Sequence, residues 1–173
     1  MLRIIGLTGF IFLAQVLEAA PLDGRFASID GGEVALQDWR GRPVLVVNTA
    51  SQCAFTGQYA GLQMLYDRYR DRGLVLLAVP SDDFDQELAS AAEVKEFCTL
   101  SFELDLPMAD ITPVLGPKAH PFYRALAVEH GFVPRWNFNK VLIGPDGELA
   151  AAWGSSVRPE SDRITGAIES LLD

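Results

Sequence analysis

The chain has 173 residues, about half of them apolar, and a formal net charge of −9. That length suits one domain with a sizeable core, and the acidity argues against a surface that tracks nucleic-acid phosphates. Two cysteines and two histidines make neither a disulfide scaffold nor a paired Cys/His zinc site, so neither a metal nor a cofactor is expected.

The N-terminus follows the pattern of a secretory signal. Arg3 supplies a positive charge, Ile4 to Leu17 is almost entirely apolar, and Glu18-Ala19-Ala20-Pro21 follows. The apolar run is about 14 residues, short of the roughly 20 that span a bilayer, which favours cleavage after residues 1–20 over anchoring. Leu17 and Glu18 stand where the cleavage site prefers small residues, which leaves a membrane-tethered form open. The expectation is an exported, periplasmic protein with one domain over 21–173, in a compartment that drives cysteine pairs toward disulfides.

Phe26-Ala27-Ser28-Ile29 and Glu33-Val34-Ala35-Leu36 flank Asp30-Gly31-Gly32, the pattern of an N-terminal hairpin. Val44-Leu45-Val46-Val47 carries no charge and reads as a strand covered on both faces, the centre of a parallel or mixed sheet. Tyr59, Leu62, Leu65, Tyr66 and Tyr69 then recur at helical spacing up to the stop at Gly73. Leu74 to Val79 is a second uncharged strand, and strand, helix, strand in that order implies a parallel crossover.

Ser90-Ala91-Ala92-Glu93 is a capping-box pattern opening a helix that carries Cys98. Leu104 to Met108 reads as a short extended segment and Ala119 to Val128 as a short helix. Lys140 to Ile143, Gly144-Pro145-Asp146-Gly147 and Glu148 to Trp153 form a second hairpin, and Glu160 to Leu172 closes the chain as an amphipathic helix. The order βαβα, hairpin, helix is an α/β arrangement of thioredoxin-like type: a central mixed β-sheet flanked by helices, with an N-terminal β-hairpin.

Cys53 lies in the loop between the first central strand and its helix. Helix N-termini there favour an anion, and a thiolate is one; the alternative is a small buried hydrophobe. Thr56 stands where a C-x-x-C oxidoreductase would carry its second cysteine, which argues against that class.

Three stretches occur together. Asn48-Thr49-Ala50-Ser51-Gln52-Cys53-Ala54-Phe55-Thr56-Gly57-Gln58-Tyr59, Val79-Pro80-Ser81-Asp82-Asp83-Phe84-Asp85-Gln86-Glu87 and Trp136-Asn137-Phe138-Asn139-Lys140 resemble, in order, the three motifs of the glutathione peroxidase family in its cysteine form. The resemblance implies a peroxidase that reduces hydrogen peroxide and organic hydroperoxides, with Cys53, Gln86, Trp136 and Asn137 as catalytic residues. Amide and indole N–H groups suit that chemistry, because they stabilise a sulfur anion and a departing oxygen without competing as nucleophiles.

The middle motif departs from the family. One residue stands where the pattern has two glycines, and Asp82 and Asp83 replace its asparagine and glutamine; these acids read as a solvated acidic loop or as helix-start charge. The resemblance also implies a reductant, either a thioredoxin-like protein or a small thiol such as glutathione. Cys98 lies on the helix where thioredoxin-dependent members of that family carry a resolving cysteine, and the resemblance implies that role for it; the alternative is a helix residue packed beside Phe97. The resemblance implies a monomer, because the segment between Tyr123 and Trp136 is short where tetrameric animal members of that family carry a longer insertion that contributes to assembly. The alternative function is a redox sensor or relay that passes oxidation of Cys53 to a partner protein.

Overall fold

The computed structural model describes residue 22 and residues 24–172. The expected signal segment, 1–20, lies outside the described residues. Among these, no helix is long and apolar enough to cross a membrane.

The chain opens with an antiparallel hairpin, β1 (Arg25–Ala27) and β2 (Glu33–Ala35). Its turn requires glycine, since Gly31 and Gly32 sit at φ 88° and 74°, a region that side chains avoid. The main sheet has the order β4-β3-β5-β6, built from β3 (Val44–Thr49), β4 (Val75–Pro80), β5 (Lys140–Ile143) and β6 (Leu149–Trp153). β3 and β4 are parallel, with Val44 opposite Val75 and Thr49 opposite Pro80, and they are joined through α1 (Gln58–Tyr69). β3 and β5, and β5 and β6, are antiparallel.

β3 and β4 are buried at every position, which is why their sequences lack polar alternation. Leu45, Val47, Leu76 and Ala78 face a core shared with Tyr59, Leu62 and Leu65 of α1, Val94 and Cys98 of α2 (Ala91–Phe102), and Ile164 and Ile168 of α4 (Asp162–Leu172). Val44, Val46, Val75, Leu77 and Val79 face the opposite core, with Phe26 of β1 and Phe122, Tyr123 and Leu126 of α3 (Pro121–His130). Each buried aliphatic chain of this kind contributes about 1.5–3 kcal/mol.

Ser90 caps α2 as its spacing implies. Its hydroxyl accepts from the Glu93 N–H and donates to the Glu93 carboxylate. α3 begins at Pro121, later than the expected Ala119, because His120 caps it through Nδ1 on the Phe122 N–H. Leu104 to Met108 forms no full strand. Met108 makes a single bridge to Ala78, and the Pro107 carbonyl and Ala109 N–H bond Ala78, covering the outer edge of β4 that would otherwise pair with other chains.

Candidate active site

β3 ends at Thr49, and the backbone then turns repeatedly before α1 begins at Gln58. Cys53 therefore sits short of the helix N-terminus, not in its first turn. Thr56 shapes this loop: its hydroxyl accepts from the Cys53 N–H at 2.9 Å and donates to the Ala50 carbonyl at 2.9 Å. Within this loop the Phe55 N–H donates to the Cys53 Sγ at 3.4 Å. At 8% exposure Cys53 is recessed in this loop.

The loop after β4 lies against this one. The Gln52 N–H donates to the Gln86 carbonyl at 2.9 Å, as expected for loops that leave the same ends of adjacent parallel strands. Asp85 stands where the family pattern has glycines, and it adopts φ 54°, a left-handed conformation that aspartate tolerates better than most residues. Asp82 and Asp83 are not a free acidic loop. Asp83 Oδ2 accepts from the Val114 and Leu115 N–H groups, and Asp82 Oδ1 accepts from the Glu87 N–H at 3.0 Å. Both carboxylates serve backbone amides.

Glu87 was singled out by nothing but its place in the motif, yet it joins the two loops. Its Oε1 accepts from the Ser51 N–H at 3.0 Å and from its neighbour Leu88 at 2.8 Å. Burial pushes its carboxyl above the usual range.

The third motif arrives from the segment before β5. Asn48, at the end of β3, donates from its side-chain amide to the Trp136 carbonyl at 3.0 Å and accepts from the Asn139 N–H at 3.1 Å. Asn139 reinforces this from its own side chain, donating to the same Trp136 carbonyl at 2.6 Å. The clamp forces Phe138 to φ 62°, a costly conformation for a bulky residue; its ring is fully buried edge-on against Tyr59, with centroids 5.3 Å apart. Asn137 is fully buried and donates to Gln86 Oε1 at 3.2 Å. Trp136 is 39% exposed, and its ring lies 5.2 Å from that of Phe84 in the Gln86 loop.

Lys140 follows these residues on β5 and is fully buried. Its ammonium donates to Gln58 Oε1 and to the Val157 carbonyl at 2.7 Å, tying α1 to the loop after β6. Burial lowers it to about 8. A buried lysine on a central strand is invisible to hydropathy pattern, as is the role of Asn48. The signal for both was position within or beside the motifs.

Cys98 faces the core from α2 and is 1% exposed. Burial raises its thiol to about 11. Both cysteines are free thiols.

A recessed thiol whose loop is bonded to a second loop and, through Gln86, to a buried asparagine beside a tryptophan, all on a thioredoxin-like fold, is the arrangement of a thiol-dependent peroxidase. The family model for glutathione peroxidase matches residues 23–127. A hydroperoxy fatty acid reductase of Synechocystis is 40% identical over 156 residues, covering 84% of this chain and 91% of the relative. A glutathione peroxidase-like peroxiredoxin of Chlamydomonas reinhardtii is 36% identical over 151 residues, covering 84% and 92%. Among solved structures, Trgpx in its apo form superposes with a TM-score of 0.70 at 29% identity, over 89% of this chain and 97% of that one. A thiol:disulfide interchange protein DsbE from Chlorobium tepidum, at 18% identity and a TM-score of 0.64 over 87% and 94%, shares the fold. The chain belongs to the glutathione peroxidase family, and it is a peroxidase that reduces peroxide with thiols.

Proposed function

We propose that Cys53 is the peroxidatic residue, that Gln86, Trp136 and Asn137 supply the donors around it, and that hydrogen peroxide and organic hydroperoxides are the substrates. The observation that carries this reading is the pair of bonds Gln52 N–H to Gln86 O and Asn137 Nδ2 to Gln86 Oε1, which draw the Cys53, Gln86 and Asn137 segments to one place. The Cys53 thiolate attacks the terminal peroxide oxygen, forming the S–O bond as the O–O bond breaks; the oxide leaves with a proton as water or an alcohol. The sulfur is oxidised to a sulfenic acid. N–H donors preorganised where negative charge moves from sulfur to oxygen lower that barrier.

A second thiol then condenses with the sulfenic acid, forming a disulfide and releasing water. Cys98 is the candidate within the chain, and its burial means that α2 opens locally before the sulfurs meet. The resulting disulfide is reduced by a thioredoxin-like protein; a small thiol such as glutathione is the route if Cys98 stays reduced. The protein works as an exported monomer: the signal pattern at its N-terminus supports export, and the short segment between Tyr123 and Trp136 lacks the insertion through which tetrameric relatives assemble.

Peroxide consumption measured side by side with thioredoxin and glutathione, together with mass spectrometry after one equivalent of peroxide, tests the scheme. A Cys53–Cys98 disulfide and faster turnover with thioredoxin are expected. A persistent sulfenic acid on Cys53 with Cys98 still reduced overturns the two-cysteine route. Fractionation and light scattering test export and monomeric state.

A further inference from the structure

α2 carries Cys98 on a narrow footing. Only Val94 and Cys98 of its 12 residues are buried, and elements with few buried contacts open at low cost. Cys98 also borders a surface cleft of about 220 Å³. Ile29 and Asp30 of the hairpin turn, Lys95 and Cys98 of α2, and Leu104 and Met108 of the segment that follows line it.

One ion pair crosses this cleft. The Lys95 ammonium meets the Asp30 carboxylate, and among the described residues it is the one ion pair that ties α2 to another element. The far end of the helix is strained. Glu103 caps α2 at φ 53°, a left-handed conformation that glycine adopts freely and glutamate does not, and it sets a carboxylate at the negative end of the helix. Its N–H donates to the Cys98 and Thr99 carbonyls, so the strained residue closes the turn that carries Cys98.

We propose that the Asp30–Lys95 pair and the Glu103 cap form a latch that sets how often Cys98 leaves the core to meet oxidised Cys53. The pair holds the helix shut, and the strained cap works against it. Once released, the Cys98 thiol attacks the Cys53 sulfenic sulfur; an S–S bond replaces the S–O bond, and the hydroxyl leaves with the thiol proton as water. Asp30 and Lys95 are positioning residues that act through α2. The inference rests on the two-cysteine route.

Asp30→Asn is the discriminating variant, because it removes the pair without changing the sequence of α2. Quenched-flow mass spectrometry after one equivalent of peroxide reads the rate of Cys53–Cys98 disulfide formation, and hydrogen exchange of the α2 peptide reads its opening in the reduced protein. Both rates should rise about two- to fivefold in Asp30→Asn, as suits an exposed pair. The charge swap of Asp30→Lys with Lys95→Asp should return them toward wild type. Raising salt from about 0.01 M to about 1 M should erase the difference between wild type and Asp30→Asn, since screening removes the pair. Glu103→Gly, which relieves the cap, should slow both rates about fivefold.

Unchanged rates in Asp30→Asn, a difference that survives high salt, or faster opening in Glu103→Gly overturns the latch. If the wild type forms no Cys53–Cys98 disulfide, the two-cysteine route fails, and hydrogen exchange still decides the latch: faster exchange in Asp30→Asn with recovery in the charge swap supports it, and equal exchange sinks it.

Discussion

Asn137 Nδ2 donates to Gln86 Oε1 at 3.2 Å, and this bond joins the loop after β4 to the segment before β5. Because the Gln86 carbonyl also accepts from Gln52, the two amides are parts of one unit beside Cys53. Gln86→Ala and Asn137→Ala are each expected to lower kcat/KM for peroxide by about 10- to 10²-fold, and the double variant to lose much less than the product of the two. Strictly multiplicative losses in steady-state kinetics would show that the amides act separately.

Cys53→Ser should abolish peroxide reduction while the circular dichroism spectrum stays native, since the hydroxyl is nearly isosteric but does not ionise near neutral pH. Trp136→Phe keeps a ring to pack on Phe84 and loses only the indole N–H, so its loss should not exceed about 10²-fold. A rate equal to wild type in Trp136→Phe would reduce that residue to packing.

Burial raises the Cys98 thiol to about 11, and thiolate, not thiol, is the alkylated form. In the reduced native protein at neutral pH, iodoacetamide should therefore label Cys53 first and Cys98 only after denaturation or a cycle of oxidation. Peptide mass spectrometry with timed quenching reads the order. Equal labelling rates would mean that α2 already opens in the reduced state.

Glu87 carries a pH signature. Its folded pKa is raised by burial, so the stability it contributes is full below the ordinary carboxylate range and is lost as pH rises through the folded value. Glu87→Gln keeps an oxygen for the Ser51 and Leu88 N–H groups but does not titrate, so the Tm of wild type minus that of this variant should fall as pH rises from about 4 toward neutrality. Glu87→Ala, which leaves both N–H groups unpaired, should cost about 1–3 kcal/mol at low pH, and less as pH rises, because alanine does not titrate either. A pH-independent Tm difference for Glu87→Gln would show that the carboxyl is not perturbed.

Much of this was legible in the residues themselves. An uncharged run such as Val44 to Val47 has few ways to be satisfied other than burial on both faces, and the helical spacing of Tyr59, Leu62 and Leu65 repeats every turn, so the order of elements follows from local pattern. The motifs around Cys53, Gln86 and Trp136 likewise marked the candidate site, because each is a short contiguous stretch.

Tertiary structure alone decided which side chains hold those stretches together. Asn48 clamping Trp136 and Asn139, Glu87 reaching Ser51, Asp83 turning onto Val114 and Leu115, and Lys140 bridging Gln58 to Val157 all join residues far apart in the chain. A polar residue in a sequence states that it needs a partner but not which one. Cys98 is the same case: helical spacing placed it on α2, but only the packing of α2 against the sheet buried its thiol, since burial depends on what the rest of the chain brings to that face.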